Sequence, residues 1–429
     1  MNQISISRSV LNGTLTAPPS KSIFQRACAA AVLKQGATVL KNGGYSEDDK
    51  TAIEIIKKMG AQVVFVGTTA IIKFENKNTH ITETLQLNCN ESGLSSRMFM
   101  PVVATIFYSS TLEGEDGLKK RPFGPIIRAL RALGLQVNAT NDSLPISIEG
   151  NLVPENVDID GSTSSQFLTG LLLAYSSFSL SEPVTITVAN LVSKPYIDLT
   201  LQVIADFGLN VPENKDYSTF TFMPRTITYG QQLKLEIEGD WSAAITLLIT
   251  GALTGEITVD GINAFTRQGD KAVLTALMDA GVRLSIESDR VTAARQPLKA
   301  FHYDATDTPD VFPVLAALAT QCEGTSVITG VHRLHHKESN RAEAIVNVLT
   351  ALDIPASIQD DMLTIKGVTA VKGGITLDAH NDHRIAMMIT ILGMLAEEPI
   401  LLTNARVVNK SFPLFYEELI KIGANIQQR

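Results

Sequence analysis

The sequence predicts a mixed α/β chain of two lobes with three units each, and three recurring features predict it. A helical pattern stops at Gly and a strand begins at six places, and six short β-rich runs end in Gly or Asn. Six helices also start polar and continue almost wholly apolar. The stops are I-K-K-M-G-A-Q-V at Gly60, L-R-A-L-G-L-Q-V at Gly134, I-A-D-F-G-L-N-V at Gly208 and L-M-D-A-G-V-R-L at Gly281. They continue in weaker form as L-T-A-L-D-I-P-A at Asp353 and end with L-I-K-I-G-A-N-I at Gly423. They recur roughly every seventy residues, so six units fill the chain.

The β-rich runs end at Asn42, Gly114, Asn190, Gly261, Gly330 and Asn404, residue types that tolerate the positive φ of a sharp turn. The apolar helices are expected from Pro19 (P-S-K-S-I-F-Q-R-A-C-A-A-A-V-L), Glu91 (E-S-G-L-S-S-R-M-F-M-P-V-V-A) and Ser162 (S-T-S-S-Q-F-L-T-G-L-L-L-A). The other three begin at Asp240 (D-W-S-A-A-I-T-L-L-I-T-G), Asp307 (D-T-P-D-V-F-P-V-L-A-A-L-A) and Asn381 (N-D-H-R-I-A-M-M-I-T-I-L-G). A helix apolar on every face is buried. Each unit then continues as strand, second helix, Gly stop and a strand-turn-strand, such as residues 283–295 and 356–367.

The composition fits this organisation. The chain has 429 residues, 45% of them apolar, which is too long for one core and too apolar for disorder. With 36 Lys and Arg against 44 Asp and Glu, the net charge of -8 argues against a general nucleic-acid binder. The longest apolar run, residues 385–396, falls short of the ~20 residues that cross a bilayer. Residues 1–10 do not read as a signal peptide. Cys28, Cys89 and Cys322 are widely separated, so no disulfide framework or zinc ribbon is expected, and the expected compartment is the cytosol. The histidines His332, His335, His336, His380 and His383 have no accompanying ligand pattern, so no metal is expected.

If the repeats place their helices alike, the polar helix starts emerge on equivalent surfaces, and two facing lobes would line one cleft with them. Helix starts carry free N–H groups and partial positive charge, which favour anions. One exposed start contributes only about 0.3–1 kcal/mol, whereas micromolar binding takes roughly 8 kcal/mol. Cationic side chains must help. Lys21, Arg26, Arg97 and Arg384 fall in the first turns of the apolar helices, and Arg121, Lys337, Arg341 and Lys410 in the loops or helices that follow the unit strands. Ser162, Thr163, Ser164, Ser165 and Gln166 add neutral donors, or simply cap a helix. Asp240, Asp310 and Glu338 either cap and pair, or do acid/base chemistry on a bound anion. The chain has no G-x-x-x-x-G-K-[ST] loop, no G-x-G-x-x-G after a strand and no G-x-S-x-G elbow. The residues describe a clamp for small, multiply anionic substrates.

At these motifs the chain resembles the 5-enolpyruvylshikimate-3-phosphate synthases, from about Ser20 to Phe415. P-S-K-S-I-F-Q-R is similar to the family's P-G-S-K-S-x-x-x-R, K-K-R-P-F-G to its R-P-x-G, and S-S-Q-F-L-T-G-L-L matches almost letter for letter. S-K-P-Y-I-D, E-G-D-W-S, T-P-D, H-K-E-S-N-R, N-D-H-R-I-A-M and N-K-S-F-P follow in family order. The resemblance implies an inside-out α/β barrel in each lobe, built of three βαβαββ repeats with helices inside. It implies residues 19–237 as the N-terminal lobe, residues 1–18 and 238–429 as the C-terminal lobe, and an active site in the cleft between them.

It further implies a cytoplasmic, cofactor-free and metal-free transferase, expected to be a monomer that binds neither nucleic acid nor membrane. Its substrates would be shikimate 3-phosphate and phosphoenolpyruvate, on the shikimate pathway to chorismate and the aromatic amino acids. Carried over by motif, Lys21, Ser22, Arg26, Ser164, Ser165, Gln166, Ser193, Asp310 and Lys337 would hold shikimate 3-phosphate. Lys21, Gly93, Arg121, Gln166, Arg341, Arg384 and Lys410 would hold phosphoenolpyruvate. Glu338 and Asp310 would move protons, with Lys21 taking part. Closure of the lobes on binding is expected, since cation-rich helix starts repel until an anion bridges them.

Four residues depart from the family pattern. Where the family writes G-N-A-G-T-x-x-R this chain has N-E-S-G-L-S-S-R, which sets Glu91 and Leu94 in place of an amide and a Thr at the phosphoenolpyruvate end. Pro19 replaces a Gly, and Arg333 stands where many relatives have Asn. The sister transferases acting on UDP-N-acetylglucosamine carry a reactive Cys before their Arg-Pro element. Here Leu118, Lys119 and Lys120 precede Arg121. A non-catalytic anion-binding protein of the same fold is the alternative from another class. Retention of Lys21, Asp310, Glu338 and Lys410 together speaks against it.

Overall fold

The computed structural model describes residues 2–75, 84–335 and 337–429. The chain forms two compact units, Pro19–Ile237 and Met1–Pro18 with Glu238–Arg429. Each encloses its own apolar core.

In the unit Pro19–Ile237 the buried helices are α1 (Lys21–Lys34), α2 (Gly93–Ala104) and α3 (Ser165–Ser176). In the other they are α4 (Trp241–Thr254), α5 (Phe312–Ala319) and α6 (His383–Leu395). Every residue of α2 and of α5 is buried. Hydroxyls survive such burial by bonding back along their own helix. In α4, Thr246, Thr250 and Thr254 each donate to the carbonyl four residues earlier, at 2.9, 2.7 and 2.7 Å.

Six four-stranded sheets share one strand order. In the third unit Val157–Asp160 runs parallel to Val184–Ala189, which pairs antiparallel with Thr219–Phe222, itself antiparallel to Glu213–Lys215. Three sheets recruit strands that are distant in sequence. Asn12–Thr16 precedes α1 but pairs with Glu256–Asp260, which follows α4, while Leu233–Glu236 precedes α4 but pairs with Gly36–Lys41, which follows α1. Gln3–Ser7 fills the last sheet, between Ile400–Thr403 and Asn425–Gln428. Among the described residues the expected units, with helix, strand, second helix and hairpin, are complete in five repeats, whereas in the sixth Asn425–Gln428 pairs with Gln3–Ser7 and not with a hairpin partner of its own.

All six stops turn through positive φ. Asp353 does so at 57°, which explains why a short polar side chain stands there instead of glycine. Of the six strand ends, Gly114 is the exception and lacks a positive φ. A Cβ there would lie 2.8 Å from Leu118 Cδ2 and 3.0 Å from Leu144 Cδ1, so close packing requires the glycine. All six buried helices start later than expected, at Lys21, Gly93, Ser165, Trp241, Phe312 and His383 instead of Pro19, Glu91, Ser162, Asp240, Asp307 and Asn381. α2 begins at Gly93, because Ser92 caps it by accepting from the Ser95 N–H, and α5 begins at Phe312. Pro313 fits only the first turn of a helix, so Asp307 to Asp310 form turns instead. Arg26 and Arg97 sit in the second turns of α1 and α2, not the first.

Among the described residues no helix is long and apolar enough to cross a membrane. Cys28, Cys89 and Cys322 are buried free thiols. Burial pushes the thiols of Cys89 and Cys322 up to about 12, which removes both as nucleophiles near neutral pH.

α2 and α3 cross closely at Gly170, where a Cβ would lie 2.7 Å from the Met98 carbonyl oxygen and 2.8 Å from Pro101 Cγ. Gly170→Val is expected to force these helices apart and lower stability by about 1–3 kcal/mol. A urea unfolding midpoint unchanged from that of the parent chain would contradict this packing account.

Candidate active site

No acidic residue occupies the first turn of any of the six buried helices. Their starts keep the positive end of the helix dipole uncompensated by first-turn carboxylates. The caps come from residues just outside: Ser164 accepts from the Gln166 N–H at 3.2 Å, Asp240 from Ala243 at 2.9 Å and Asp382 from Arg384 at 2.9 Å.

In the unit Pro19–Ile237, the starts of α2 and α3 bring together Gly93, Arg97, Arg121 and Gln166. Gln166 Oε1 accepts from Arg97 Nη1 at 2.9 Å, and the Arg97 guanidinium lies over the rings of Phe123 and Phe167, 5.6 and 5.1 Å from their centroids. A Cβ on Gly93 would sit 2.7 Å from Arg121 Nη1 and 3.8 Å from Gln166 Oε1. Glycine is therefore what allows Arg121 to approach the helix start. Ser164 and Ser165 are buried at the same α3 start.

Lys21 opens α1 and pairs with Asp48 at 2.7 Å. Behind it, burial pushes the Asp49 carboxyl up to about 7, against the Ser46 hydrogen bond and the Lys21 charge that pull it down. Arg26 is 1% exposed and its donors are committed inside the protein: Nε to Thr200 Oγ1 at 2.9 Å, Nη1 to the Ser22 carbonyl at 2.8 Å, and Nη2 to Thr169 Oγ1 and the Tyr196 carbonyl. Arg26 thus ties α1 to α3 and to the helix Lys194–Asp206. Ser193 caps that helix in the left-handed region, at φ 55°, a conformation that costs a serine on the order of 1 kcal/mol.

In the other unit, Arg341 is the centre. It is fully buried and donates Nη1 to Asp310 at 2.8 Å, Nη2 to Glu338 at 2.5 Å and Nε to Asp382 at 2.8 Å. Lys337 Nζ reaches Asp310 at 3.2 Å, and Ser339 donates to Asp382 at 3.0 Å. Burial alone would raise the Asp310 carboxyl, but Lys337, Arg341 and Arg384 hold it well below the usual range. Burial lowers Lys337, and Asp310 pulls it back up. Arg384, 4% exposed in the first turn of α6, has an Nε with no hydrogen-bond partner among the described residues. Lys410 Nζ donates to the Asn381 carbonyl at 2.8 Å, beside the same helix start.

The structure thus gathers Asp310, Lys337, Glu338, Arg341, Arg384 and Lys410 around the starts of α5 and α6, and Gly93, Arg121 and Gln166 around those of α2 and α3. It ties up Arg26 internally. Sequence reasoning missed Asp48, Asp270 and Asp382. Asp382 stood inside the quoted N-D-H-R-I-A-M motif, and Asp48 in the acidic run that opens the helix Glu47–Lys58. Asp270 is 3% exposed and follows Gln268, which itself anchors the start of α4 through the Gly239 carbonyl and the Trp241 N–H. His332 bonds Asp361 and His335 bonds Asn340, while His336 lies outside the described residues. Among the described residues no His, Cys, Asp and Glu group of three or more could hold a metal ion.

Known proteins show the same arrangement of elements. The enolpyruvyl transferase NikO from Streptomyces tendae superposes with a TM-score of 0.78 at 18% identity, covering 99% of this chain and 98% of its own. The EPSP synthase from Acinetobacter baumannii superposes with a TM-score of 0.81 at 23% identity, covering 100% and 99%. The 3-phosphoshikimate 1-carboxyvinyltransferase of Pyrococcus abyssi is 33% identical over 413 residues, or 96% of this chain and 95% of its own. That of Clostridium botulinum (strain Alaska E43 / Type E3) is 31% identical over 426 residues, or 97% and 96%. The family model of EPSP synthase (3-phosphoshikimate 1-carboxyvinyltransferase) matches residues 7–419, and with these charged helix starts in family order the chain belongs to the EPSP synthase family.

Proposed function

We propose that this chain transfers the enolpyruvyl group of phosphoenolpyruvate to the 5-hydroxyl of shikimate 3-phosphate and releases phosphate, in the cytosol and as a step toward the aromatic amino acids. The observation that carries the reading is the set of half-buried Lys337 and buried Arg341 and Arg384 against half-buried Asp310 and Glu338. It supplies cations for phosphate and carboxylate, and carboxylates for proton transfer, at one pair of helix starts.

The chemistry follows from those groups. The hydroxyl oxygen bonds to C2 of phosphoenolpyruvate as its proton passes to Asp310, while C3 takes a proton from Glu338. The resulting tetrahedral adduct then breaks its bond to the phosphate oxygen, and the leaving phosphate takes up the proton held by Asp310. C3 returns a proton to Glu338 and the enol ether forms. Before substrate arrives Asp310 is a poor base, because three cations stabilise its charge. Anions that draw those cations to themselves raise its basicity, so binding itself readies the base.

Gly93, Arg121, Gln166, Arg384 and Lys410 are assigned to phosphoenolpyruvate, since planar Arg forks suit carboxylate and phosphate. Ser22, Ser164, Ser165, Ser193 and Lys337 are assigned to shikimate 3-phosphate. Lys21, held by Asp48, is assigned to both. Arg26, expected on shikimate 3-phosphate, is assigned instead to positioning α1 and Ser22, whose carbonyl it binds, and Arg341, expected on phosphoenolpyruvate, is assigned to orienting Asp310 and Glu338.

Phosphate release from phosphoenolpyruvate is expected with shikimate 3-phosphate and not with UDP-N-acetylglucosamine. Release only with the nucleotide sugar would reassign the substrate, and release with neither would leave an anion-binding protein. Glu338→Gln keeps the shape of the side chain but cannot donate the proton. Its kcat is expected to fall by at least about a hundredfold with KM nearly constant, and unchanged turnover would remove Glu338 from the chemistry. Gly93→Ala sets a methyl against Arg121 Nη1. It is expected to raise KM for phosphoenolpyruvate by about tenfold or more and to leave KM for shikimate 3-phosphate near its original value. An equal rise in both constants would argue against the assignment of Arg121.

A further inference from the structure

Gly93 and Arg121 stand at the ends of two neighbouring loops of the unit Pro19–Ile237. Residues 89–92 lead into α2 and Gly93, and residues 114–120 lead to Arg121. Backbone hydrogen bonds join the loops where they begin, from the Cys89 N–H to the Glu113 carbonyl and from the Glu115 N–H to the Asn90 carbonyl, each at 2.8 Å. Past Glu115 the second loop winds through the single helical turn Asp116–Lys119, and the Arg121 N–H donates to the Leu118 carbonyl of that turn at 3.0 Å. Whatever fixes the turn therefore fixes the backbone from which Arg121 reaches Gly93.

Gly117 in that turn has no local reason to be glycine. Its φ lies outside the left-handed region, and alanine is the better helix former. The reason is tertiary. The three nearest atoms that a Cβ on Gly117 would meet all belong to the Glu91 carboxyl group, Oε1 at 2.8 Å, Oε2 at 3.1 Å and Cδ at 3.2 Å. Glu91 thus covers the start of the turn from the other loop, whereas the cap residue Glu115 makes no side-chain hydrogen bond to it. The N–H groups of a first helical turn favour a carboxylate in that place.

We propose that Glu91 is a positioning residue for Arg121: its carboxylate, seated on Gly117, holds the turn Asp116–Lys119 and so aims the Arg121 guanidinium at the start of α2. The inference rests on the assignment of Arg121 to phosphoenolpyruvate. Glu91 is itself pinned on both sides, by the Asn90 carbonyl that binds Glu115 and by Ser92, which caps α2 through the Ser95 N–H. Its side chain therefore couples the two loops beyond the point where their backbones part. It also gives the departure at this position a physical account, because a carboxylate seated on Gly117 acts on the substrate anion through Arg121 and takes no part in holding the anion itself.

The test is the kinetics of phosphate release by the full chain, with phosphoenolpyruvate and shikimate 3-phosphate varied in turn, for Glu91→Ala, Gly117→Ala and the double variant. Each single variant is expected to raise KM for phosphoenolpyruvate by about tenfold and to leave KM for shikimate 3-phosphate within about twofold of the parent. The Gly117 methyl acts by pushing the Glu91 carboxylate aside, so the double variant should match Glu91→Ala, whereas independent defects would multiply to about a hundredfold. Gly117→Ala, a change of one methyl, keeps the test open if Glu91→Ala does not fold. An unchanged KM for phosphoenolpyruvate in the single variants, a joint rise of both constants, or multiplied effects in the double variant would overturn the role of Glu91 alone. Arg121→Ala is the control for the underlying reading. If it leaves KM for phosphoenolpyruvate unchanged, the assignment of Arg121 falls and this inference falls with it, and a parent chain that releases no phosphate would overturn the reaction and both.

Discussion

A guanidinium cannot be wholly buried without acceptors that satisfy it, and Arg341, which has no exposure at all, is satisfied by carboxyl groups. The carboxylates that neutralise it arrive from three different places: Asp310 from the turns before α5, Glu338 from the loop leading into the helix Arg341–Ala351, and Asp382 from the cap of α6. One cation therefore fixes the relative positions of both proton-transfer candidates and of the helix start that carries Arg384. Removing a single partner would strand buried charge, at a cost of roughly 3–5 kcal/mol. The site's geometry and the stability of this unit are in that sense one constraint.

Arg26 solves the same burial problem in the other unit with neutral acceptors. Two threonine hydroxyls and two carbonyls satisfy it, and burial pulls the guanidinium down to about 10, still far above neutral pH. A cation stabilised by dipoles leaves no carboxyl group for chemistry, whereas Arg341 helps hold Asp310 ionised and keeps Glu338 oriented beside it. That difference separates a brace from an organiser of acid/base groups, although both are buried arginines in family motifs.

Much of this was legible in the sequence because repetition amplifies weak signals. One glycine after a helix means little, but six stops at a near-constant spacing define the units, and apolar helices with basic starts mark the faces that receive anions. What stayed illegible depends on long-range partners. Nothing local says that Asn12–Thr16 pairs with Glu256–Asp260, because both neighbouring strands read alike. The late start of α5 turns on Pro313, a residue type that a purely apolar pattern counts as compatible. Asp270 was invisible because the hydroxyl it binds belongs to Ser242, 28 positions away, and it stands in no motif of its own.

The charge balance around Arg341 also constrains how a phosphate can enter. With Glu338 protonated, as the donor of a proton to C3 must be, Lys337, Arg341 and Arg384 exceed Asp310 and Asp382 by a single charge. A cluster with one net positive charge does not neutralise a dianion. It must gain positive charge, by recruiting cations such as Lys410 or by protonating a carboxylate, or else redistribute the charge it has. Redistribution is costly at Arg341, where three carboxyl groups would have to let go together, and cheap at Arg384, whose Nε surrenders no hydrogen bond when it turns to a ligand. On the proposed assignment the first contact with an anion therefore belongs to Arg384, and Arg341 acts afterwards by keeping Asp310 and Glu338 in place.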